Sequence, residues 1–129
     1  MILIDTSAWV EFLRDTGTVV CTTVDTLLDE EIATCHPIRM EMLAGARDDK
    51  HLSDLRGLLA RAILIPTLPG DYEEAAALYR TCRRNGATIR KIIDCLIAAH
   101  AIRLSIPVLH SDSDFDLMAS HASLAVHLS

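Results

Sequence analysis

The sequence predicts an α/β fold: a three-layer α/β/α sandwich with a central, mostly parallel sheet. Short apolar segments with strand character alternate along the chain with longer segments of helical periodicity. Half of the residues are hydrophobic, mainly Leu, Ile, Val and Ala, which is typical of helices packed on a buried sheet. A length of 129 residues supports one buried core, so residues 1–129 are predicted to form a single domain.

Five short segments are predicted as strands. The first is the apolar run before Asp5, which ends at a polar Asp-Thr-Ser sequence, as expected of a buried strand followed by a helix start. Pro107 leads into the fourth strand, directly before an apolar pair and His110. The predicted strands are residues 2–4, 32–35, 62–65, 107–110 and 124–128.

Helical periodicity fills the intervals between the strands. Pro37 suits the first turn of a helix and Gly45 its end, while Asn85-Gly86 terminates a longer helix. The helix that follows carries apolar residues at spacings of three and four. The predicted helices begin with an apolar face at residues 9–13 and continue with residues 19–28, 36–45, 52–60, 72–84 and 88–104, and a last helix carries Phe115, Leu117 and Met118.

Charge and cysteine content bound the function classes. A formal charge of -6 argues at first against a nucleic-acid partner. If five of the 18 acids line a metal pocket, however, 13 acids remain against 12 basic residues, and the rest of the surface is nearly neutral. The four cysteines form no C-x-x-C pair, which disfavours a zinc site or a disulfide framework. With no signal-peptide pattern and no apolar run of membrane-span length, we expect a cytoplasmic protein with reduced thiols.

Two acids follow predicted strands directly. Asp5 comes after the first strand and Asp112 after the fourth, each at a helix entrance. In open parallel sheets the carboxyl ends of the strands face the ligand-binding crevice, so both positions are candidates for a site. Helix capping is the alternative explanation for both residues, and the sequence leaves it open.

Two further acids lie inside apolar helical segments. Glu41 sits between two methionines, and Asp94 lies between Ile93 and Cys95. A carboxylate near a core needs cations or hydrogen-bond donors, so both are candidates for a metal pocket. An ion pair of Asp94 with Arg90 is the structural alternative. Oxygen ligands without a Cys or His pattern favour Mg²⁺ or Mn²⁺, ions that support phosphodiester hydrolysis.

The chain resembles the PIN-domain nucleases, and within them the VapC toxins of bacterial toxin-antitoxin pairs. The resemblance rests on four segments in order: IDTSAWV at residues 4–10, PIRMEMLAG at 37–45, DCLIAA at 94–99 and HSDSDF at 110–115. It implies a PIN-like fold and a Mg²⁺- or Mn²⁺-dependent endoribonuclease that cleaves structured RNA such as tRNA or rRNA. It also implies inhibition by a VapB-like antitoxin and a homodimer.

The resemblance also assigns roles to residues of this chain. It implies that the acidic quartet is Asp5, Glu41, Asp94 and Asp112, with Asp114 as a neighbouring acid. Thr6 or Ser7 would supply a hydroxyl that supports Asp5 and a metal-bound water. Related toxins often carry a polar residue, commonly Asn, directly before the third acid, whereas this chain has Ile93. This departure keeps open a non-catalytic PIN-like module that binds RNA or protein.

Other residues have competing explanations. A basic group could hold the RNA backbone or form a solvated helix face: Arg80, Arg83, Arg84, Arg90 and Lys91. Trp9 is expected in the core, and His110 is expected to be structural. A haloacid-dehalogenase-like phosphatase is the enzyme alternative, but it needs a second Asp at the position of Ser7.

Overall fold

A four-stranded sheet forms the centre of the computed structural model, which describes residues 1–127. All strand pairs are parallel, and the order across the sheet is β3-β2-β1-β4. The strands are β1 (Ile2–Ile4), β2 (Ile32–Cys35), β3 (Ile63–Ile65) and β4 (Val108–Leu109). The helices are α1 (Thr6–Leu13), α2 (Val19–Leu27), α3 (His36–Ala44), α4 (Asp49–Leu59), α5 (Pro69–Arg84), α6 (Ile92–Leu104) and α7 (Ser113–His121).

The strand order creates a switch point between β1 and β4. From β1 the chain moves outward through β2 to β3, and it then returns across the sheet to place β4 on the other side of β1. The connections that leave β1 and β4 therefore run in opposite directions from neighbouring strand ends. A crevice opens at such a place, and in α/β sheets this is where ligands bind.

The central strands are covered on both faces, which confirms the three-layer prediction. Leu3 and Ile4 of β1 are fully buried although adjacent strand residues point to opposite faces of a sheet. All four residues of β2 are buried as well. Trp9 and Phe115 are the bulkiest fully buried side chains and pack in the same core, so the expectation for Trp9 is confirmed.

Local sequence explains where the helices begin. The side chain of Asp5 accepts a hydrogen bond from the Ser7 backbone N–H and caps α1, and Asp112 caps α7 in the same way. Pro37 occupies the first turn of α3. In α5, the carboxylate of Asp71 accepts the Leu68 N–H at 2.8 Å. Asp5 and Asp112 therefore do cap helices, as the alternative explanation for these residues holds.

The predicted boundaries are least accurate in two segments. The helix expected from residue 88 begins at Ile92, because residues 88–91 are not helical: Ile89 is buried in the core and Lys91 has an extended backbone at the helix cap. The expected strand at residues 124–128 is reduced, within the described residues, to one bridge of Val126 with Val108, and residue 128 lies outside them. In both segments, tertiary contacts decided the conformation rather than the apolar pattern.

The structure also bears on the cysteines and on membrane-spanning helices. All four cysteines are buried and free. Within residues 1–127, no helix has both the length and the apolar character required to cross a bilayer.

Candidate active site

Five carboxylates converge at the switch point. Asp5 follows β1, while Asp112 and Asp114 lie at the start of α7, directly after β4. Asp94 is in the first turn of α6, and Glu41 is in α3. Asp94, Asp112 and Asp114 each offer one oxygen, and these oxygens lie within 4.8 Å of one another. Burial raises the pKa of Asp94, and the charges of Asp5, Asp112 and Glu41 raise it further, which places these four acids in one electrostatic environment.

Ser7 fixes the orientation of Asp5. Its backbone N–H and its hydroxyl donate to Asp5 Oδ2 at 2.9 and 2.6 Å. The Ser7 hydroxyl oxygen in turn accepts the Ser111 N–H at 2.9 Å. Because Ser111 lies next to Asp112, this chain of hydrogen bonds fixes the distance between the ends of β1 and β4.

Thr6 supports a different acid from the one expected. Its hydroxyl donates to Glu41 Oε1 at 2.8 Å, so Thr6 orients Glu41 while Ser7 orients Asp5. The other oxygen of Glu41 faces Lys91, with 3.8 Å between Nζ and Oε2. The carboxylate of Glu41 is thus held between a hydroxyl and an ammonium group at the edge of the site.

Arg90 is the main basic partner of the acids. Its Nη2 lies 2.7 Å from Asp112 Oδ1, and its Nε lies 3.1 Å from Asp114 Oδ2. The alternative of an Arg90–Asp94 pair is not observed, because Arg90 precedes α6, which begins at Ile92, and its side chain pairs with acids of α7 and its cap. Asp94 instead occupies the first helical turn, where the positive end of the helix dipole favours a carboxylate.

Two oxygens in the site have no partner. Asp5 Oδ1 and Asp94 Oδ2 are buried and accept no hydrogen bond from any described residue. Burial raises the pKa of Asp5, against the hydrogen bonds from Ser7, which lower it. Burial, followed by the charge of Asp5, raises the pKa of Asp94 to about 7. Without a cation, the protein compensates for this burial by holding a proton.

This donor set fits a divalent cation. The two unpartnered oxygens are buried, the surrounding ligands are carboxylates, and their charges repel one another. Hard cations such as Mg²⁺ and Mn²⁺ prefer oxygen ligands of this kind. Asp5 and Asp94 would hold such an ion from the core side, and Asp112 from the open side.

Asp114 and Ile93 are two further positions that the sequence singled out. Asp114 was expected only as a neighbouring acid, but it is one of the three clustered carboxylates. The Ser-Asp-Ser-Asp segment after a strand was the indication in the sequence that Asp114 belongs to the cluster. Asp114 lies two positions after the helix cap Asp112 and faces the same crevice. Ile93 lines an apolar groove with Met40 and Tyr72, so no polar side chain at position 93 supports Asp94.

His110 has the structural role expected of it. Its Nδ1 accepts the Asp112 N–H at 3.1 Å, and its Nε2 lies 3.2 Å from Asp116 Oδ1. The ring also stacks on Phe115 with 5.2 Å between centroids. His110 therefore positions the backbone of Asp112, and both of its ring nitrogens are already in use.

The raised pKa of Asp94 predicts an unusual pH dependence. Between its unfolded value of 3.8 and about 7, the folded, metal-free protein keeps a proton that the unfolded chain has released. The free energy of unfolding should therefore fall by up to about 1.4 kcal/mol per pH unit over this range. Urea denaturation in EDTA at several pH values measures the slope.

Asp94→Asn is the control for this measurement. His100, whose pKa is lowered by burial, acts in the opposite direction near neutral pH but is common to both proteins. The variant should lose the contribution of Asp94 and be relatively more stable at pH 8. Parallel curves for the two proteins would show that Asp94 carries no excess proton.

The comparisons with known proteins agree with this fold. The family model described as "PIN domain" matches residues 2–120. Ribonuclease VapC11 of Mycobacterium tuberculosis is 47% identical over 96% of both chains. Among solved structures, VapBC2 of Rickettsia felis, bound to a DNA fragment from its promoter, has a TM-score of 0.79 at 19% identity, covering 98% of each chain. A toxin-antitoxin complex from Klebsiella pneumoniae has a TM-score of 0.71 at 19% identity, covering 89% of this chain and 90% of that one. The chain belongs to the PIN domain family.

Proposed function

We propose that this protein is a divalent-metal-dependent endoribonuclease that acts as the toxin of a toxin-antitoxin pair. One observation carries the proposal: Asp5 and Asp94 each have a buried oxygen without a hydrogen-bond partner in residues 1–127, and Asp94 clusters with Asp112 and Asp114 at a switch point. Family membership and the ribonuclease name of the 47% identical relative support it. Mg²⁺ or Mn²⁺ is the proposed cofactor, and structured RNA such as tRNA or rRNA is the proposed substrate.

Each acid has a distinct task in this proposal. Asp5, Asp94 and Asp112 bind the principal metal, and Glu41 either helps to bind a second ion or orients the attacking water. A bound divalent cation supplies water activation and neutralises charge that develops on the phosphodiester. Ser7 and Thr6 keep the carboxylates of Asp5 and Glu41 in fixed orientations, so little reorganisation is needed when RNA binds.

RNA contacts are proposed for the exposed end of α5. Arg80, Arg83 and Arg84 are exposed there, and none of them pairs with an acid within residues 1–127. Arg83 lies over the ring of Tyr79 at 5.8 Å, which leaves its donors free for phosphate. Arg90 and Lys91, in contrast, face the acids and are close to where a scissile phosphate would lie.

An antitoxin is the proposed protein partner, and a groove beside the site suits it. The groove has a volume of about 340 Å³ and extends from Glu41 to Arg14 and Arg47. Val10 and Leu13 line it between these ends, so it offers an apolar surface with polar groups at both ends. An amphipathic segment of a small antitoxin fits such a surface, and an occupant at Glu41 would block access to the metal site.

A second exposed apolar surface supports a homodimer. Met40 and Tyr72 are 59% and 60% exposed, and they line one groove together with Leu43, Ile93 and Leu96. Apolar surface of this kind is typical of an interface between subunits. We further propose that the protein acts in the cytoplasm, where its RNA substrates occur and free thiols stay reduced.

Replacing Asp5 tests the enzymatic proposal. Asp5→Asn keeps the hydrogen bonds to Ser7 but removes a metal-ligating charge, so the fold should persist while Mn²⁺-dependent RNA cleavage falls at least about a hundredfold. Fragment formation is measured on gels and by sequencing of RNA ends, with Mn²⁺, Mg²⁺ or EDTA. Asp25→Asn, at an exposed position of α2, is the matched control.

The same assay separates the alternatives. A protein that shifts RNA on a native gel but releases no fragments with either metal is a binding module rather than a nuclease. Undiminished cleavage by folded Asp5→Asn would refute the role given to Asp5. A phosphoryl group trapped on Asp5 would favour the phosphatase alternative.

A charge placed in the groove tests the antitoxin proposal. Leu13 is 44% exposed, so Leu13→Glu should fold normally yet weaken antitoxin binding at least about tenfold by placing a charge on an apolar contact. Leu117→Glu, at a position 38% exposed on α7, is the control. Calorimetry with the purified antitoxin measures both affinities, and equal binding by wild type and Leu13→Glu would place the antitoxin elsewhere.

A further inference from the structure

Arg90 occupies the open end of the acidic site in the way that a metal ion would. Its guanidinium bridges Asp112 Oδ1 and Asp114 Oδ2 at 2.7 and 3.1 Å. The backbone N–H of Arg90 also donates to Asp114 Oδ2 at 3.1 Å. Asp112 and Asp114 are two of the three acids whose oxygens lie within 4.8 Å of one another. One side chain thus binds carboxylates that a cation at this end would need.

The buried end of the site is different. Asp5 and Asp94 are each 3% exposed, and the unpartnered oxygens Oδ1 of Asp5 and Oδ2 of Asp94 contact no basic group among the described residues. A first cation can bind these oxygens without displacing any side chain of the protein. A second cation at the open end has to compete with Arg90.

The charge balance agrees with this difference. Five carboxylates face two basic residues, Arg90 and Lys91, which leaves three negative charges when all of these groups are ionised. One divalent cation leaves a single negative charge. A second cation would make the net charge of the site positive unless the guanidinium of Arg90 moves away. Because like charges in a crowded site repel one another, this opposes binding of the second cation.

Arg90 can withdraw at small cost. Its side chain is 68% exposed, and Asp112 and Asp114 are the only polar partners of that side chain within residues 1–127. It precedes α6 and lies outside the helical hydrogen-bond ladder. The guanidinium can therefore turn into solvent without breaking a helix or leaving a cavity.

We propose that Arg90 is an internal counter-cation that holds the place of a second divalent ion between Asp112 and Asp114. With Arg90 in place, the protein binds one ion tightly through Asp5, Asp94 and the oxygen of Asp112 that Arg90 does not contact, and a second ion binds only when the guanidinium leaves. Arg90 thereby sets how many metals the site holds at a given concentration. The inference rests on the proposed function for its first, buried ion, and it assigns the control of the second to Arg90.

Mn²⁺ titration of the metal-free protein tests this inference. Isothermal titration calorimetry gives stoichiometry and affinity, and electron paramagnetic resonance detects the spin coupling of two neighbouring Mn²⁺ ions. Arg90→Gln should bind a second Mn²⁺ at least about tenfold more tightly than wild type, because the competing charge is gone. A coupled spectrum should then form at correspondingly lower Mn²⁺ concentration.

Two further variants make the result specific. Arg61→Gln removes a guanidinium that pairs with Asp29 near the start of the strands, at the opposite edge of the sheet, and should bind Mn²⁺ as wild type does. Arg90→Lys keeps the charge but cannot bridge two carboxylates with a planar fork, so its affinity for the second ion should be intermediate. If Arg90→Gln does not fold, Arg90→Lys decides the question by the same comparison.

The outcomes distinguish this inference from the proposed function. Wild-type stoichiometry and affinity in folded Arg90→Gln, with only a loss of stability, would show that Arg90 is a structural tether and would overturn the inference alone. Failure of both wild type and Arg90→Gln to bind Mn²⁺ would contradict the proposed function and this inference together. Binding of Mn²⁺ by Arg90→Gln but not by wild type would also overturn the inference, because it would show that Arg90 excludes the first ion as well as the second.

Discussion

Repulsion among carboxylates is the constraint around which this structure is organised. Asp5 and Asp94 are both buried, each has one oxygen without a hydrogen-bond partner in the described part of the chain, and the charges of Asp5, Asp112 and Glu41 all act on Asp94. A buried carboxylate without a partner opposes folding by several kcal/mol, which is a large share of the stability of a small domain. The protein offsets this cost in the metal-free form with a raised pKa at Asp94 and with Arg90 at the open end.

The fold tolerates this arrangement because the acids also have local structural tasks. Asp5 and Asp112 cap α1 and α7, so each carboxylate satisfies backbone donors before any ligand is present. The bond from Ser111 to Ser7 joins the ends of β1 and β4, and His110 holds the backbone of Asp112. The side chains that would bind a cation are therefore held by rigid elements, and metal binding requires little ordering of the chain.

The sequence predicts those parts of the site that depend on local structure. Asp5 and Asp112 were found because each follows a short apolar strand, and parallel strands end at one edge of the sheet. Glu41 and Asp94 were found because an acid within an apolar segment needs an explanation. The layered α/β architecture followed from the alternation of strand and helix patterns, and the central sheet confirms it.

The parts that could not be predicted depend on contacts between distant segments. Ile89 is buried in the core, residues 88–91 are not helical, and α6 starts only at Ile92. Arg90 therefore precedes the helix, and its side chain pairs with Asp112 and Asp114, which no helical spacing indicates. Because the partner of a surface arginine is set by tertiary structure, the counter-cation could not be read from the pattern.

Crystallography of the wild-type protein soaked with Mn²⁺ tests the central claim most directly, because anomalous scattering locates the ion without assumptions about its ligands. The account predicts an anomalous peak within about 2.0–2.4 Å of both Asp5 Oδ1 and Asp94 Oδ2, the distance range for oxygen ligands of such ions. Crystals that bind Mn²⁺ elsewhere, or not at all, while both oxygens stay without a partner would contradict the account.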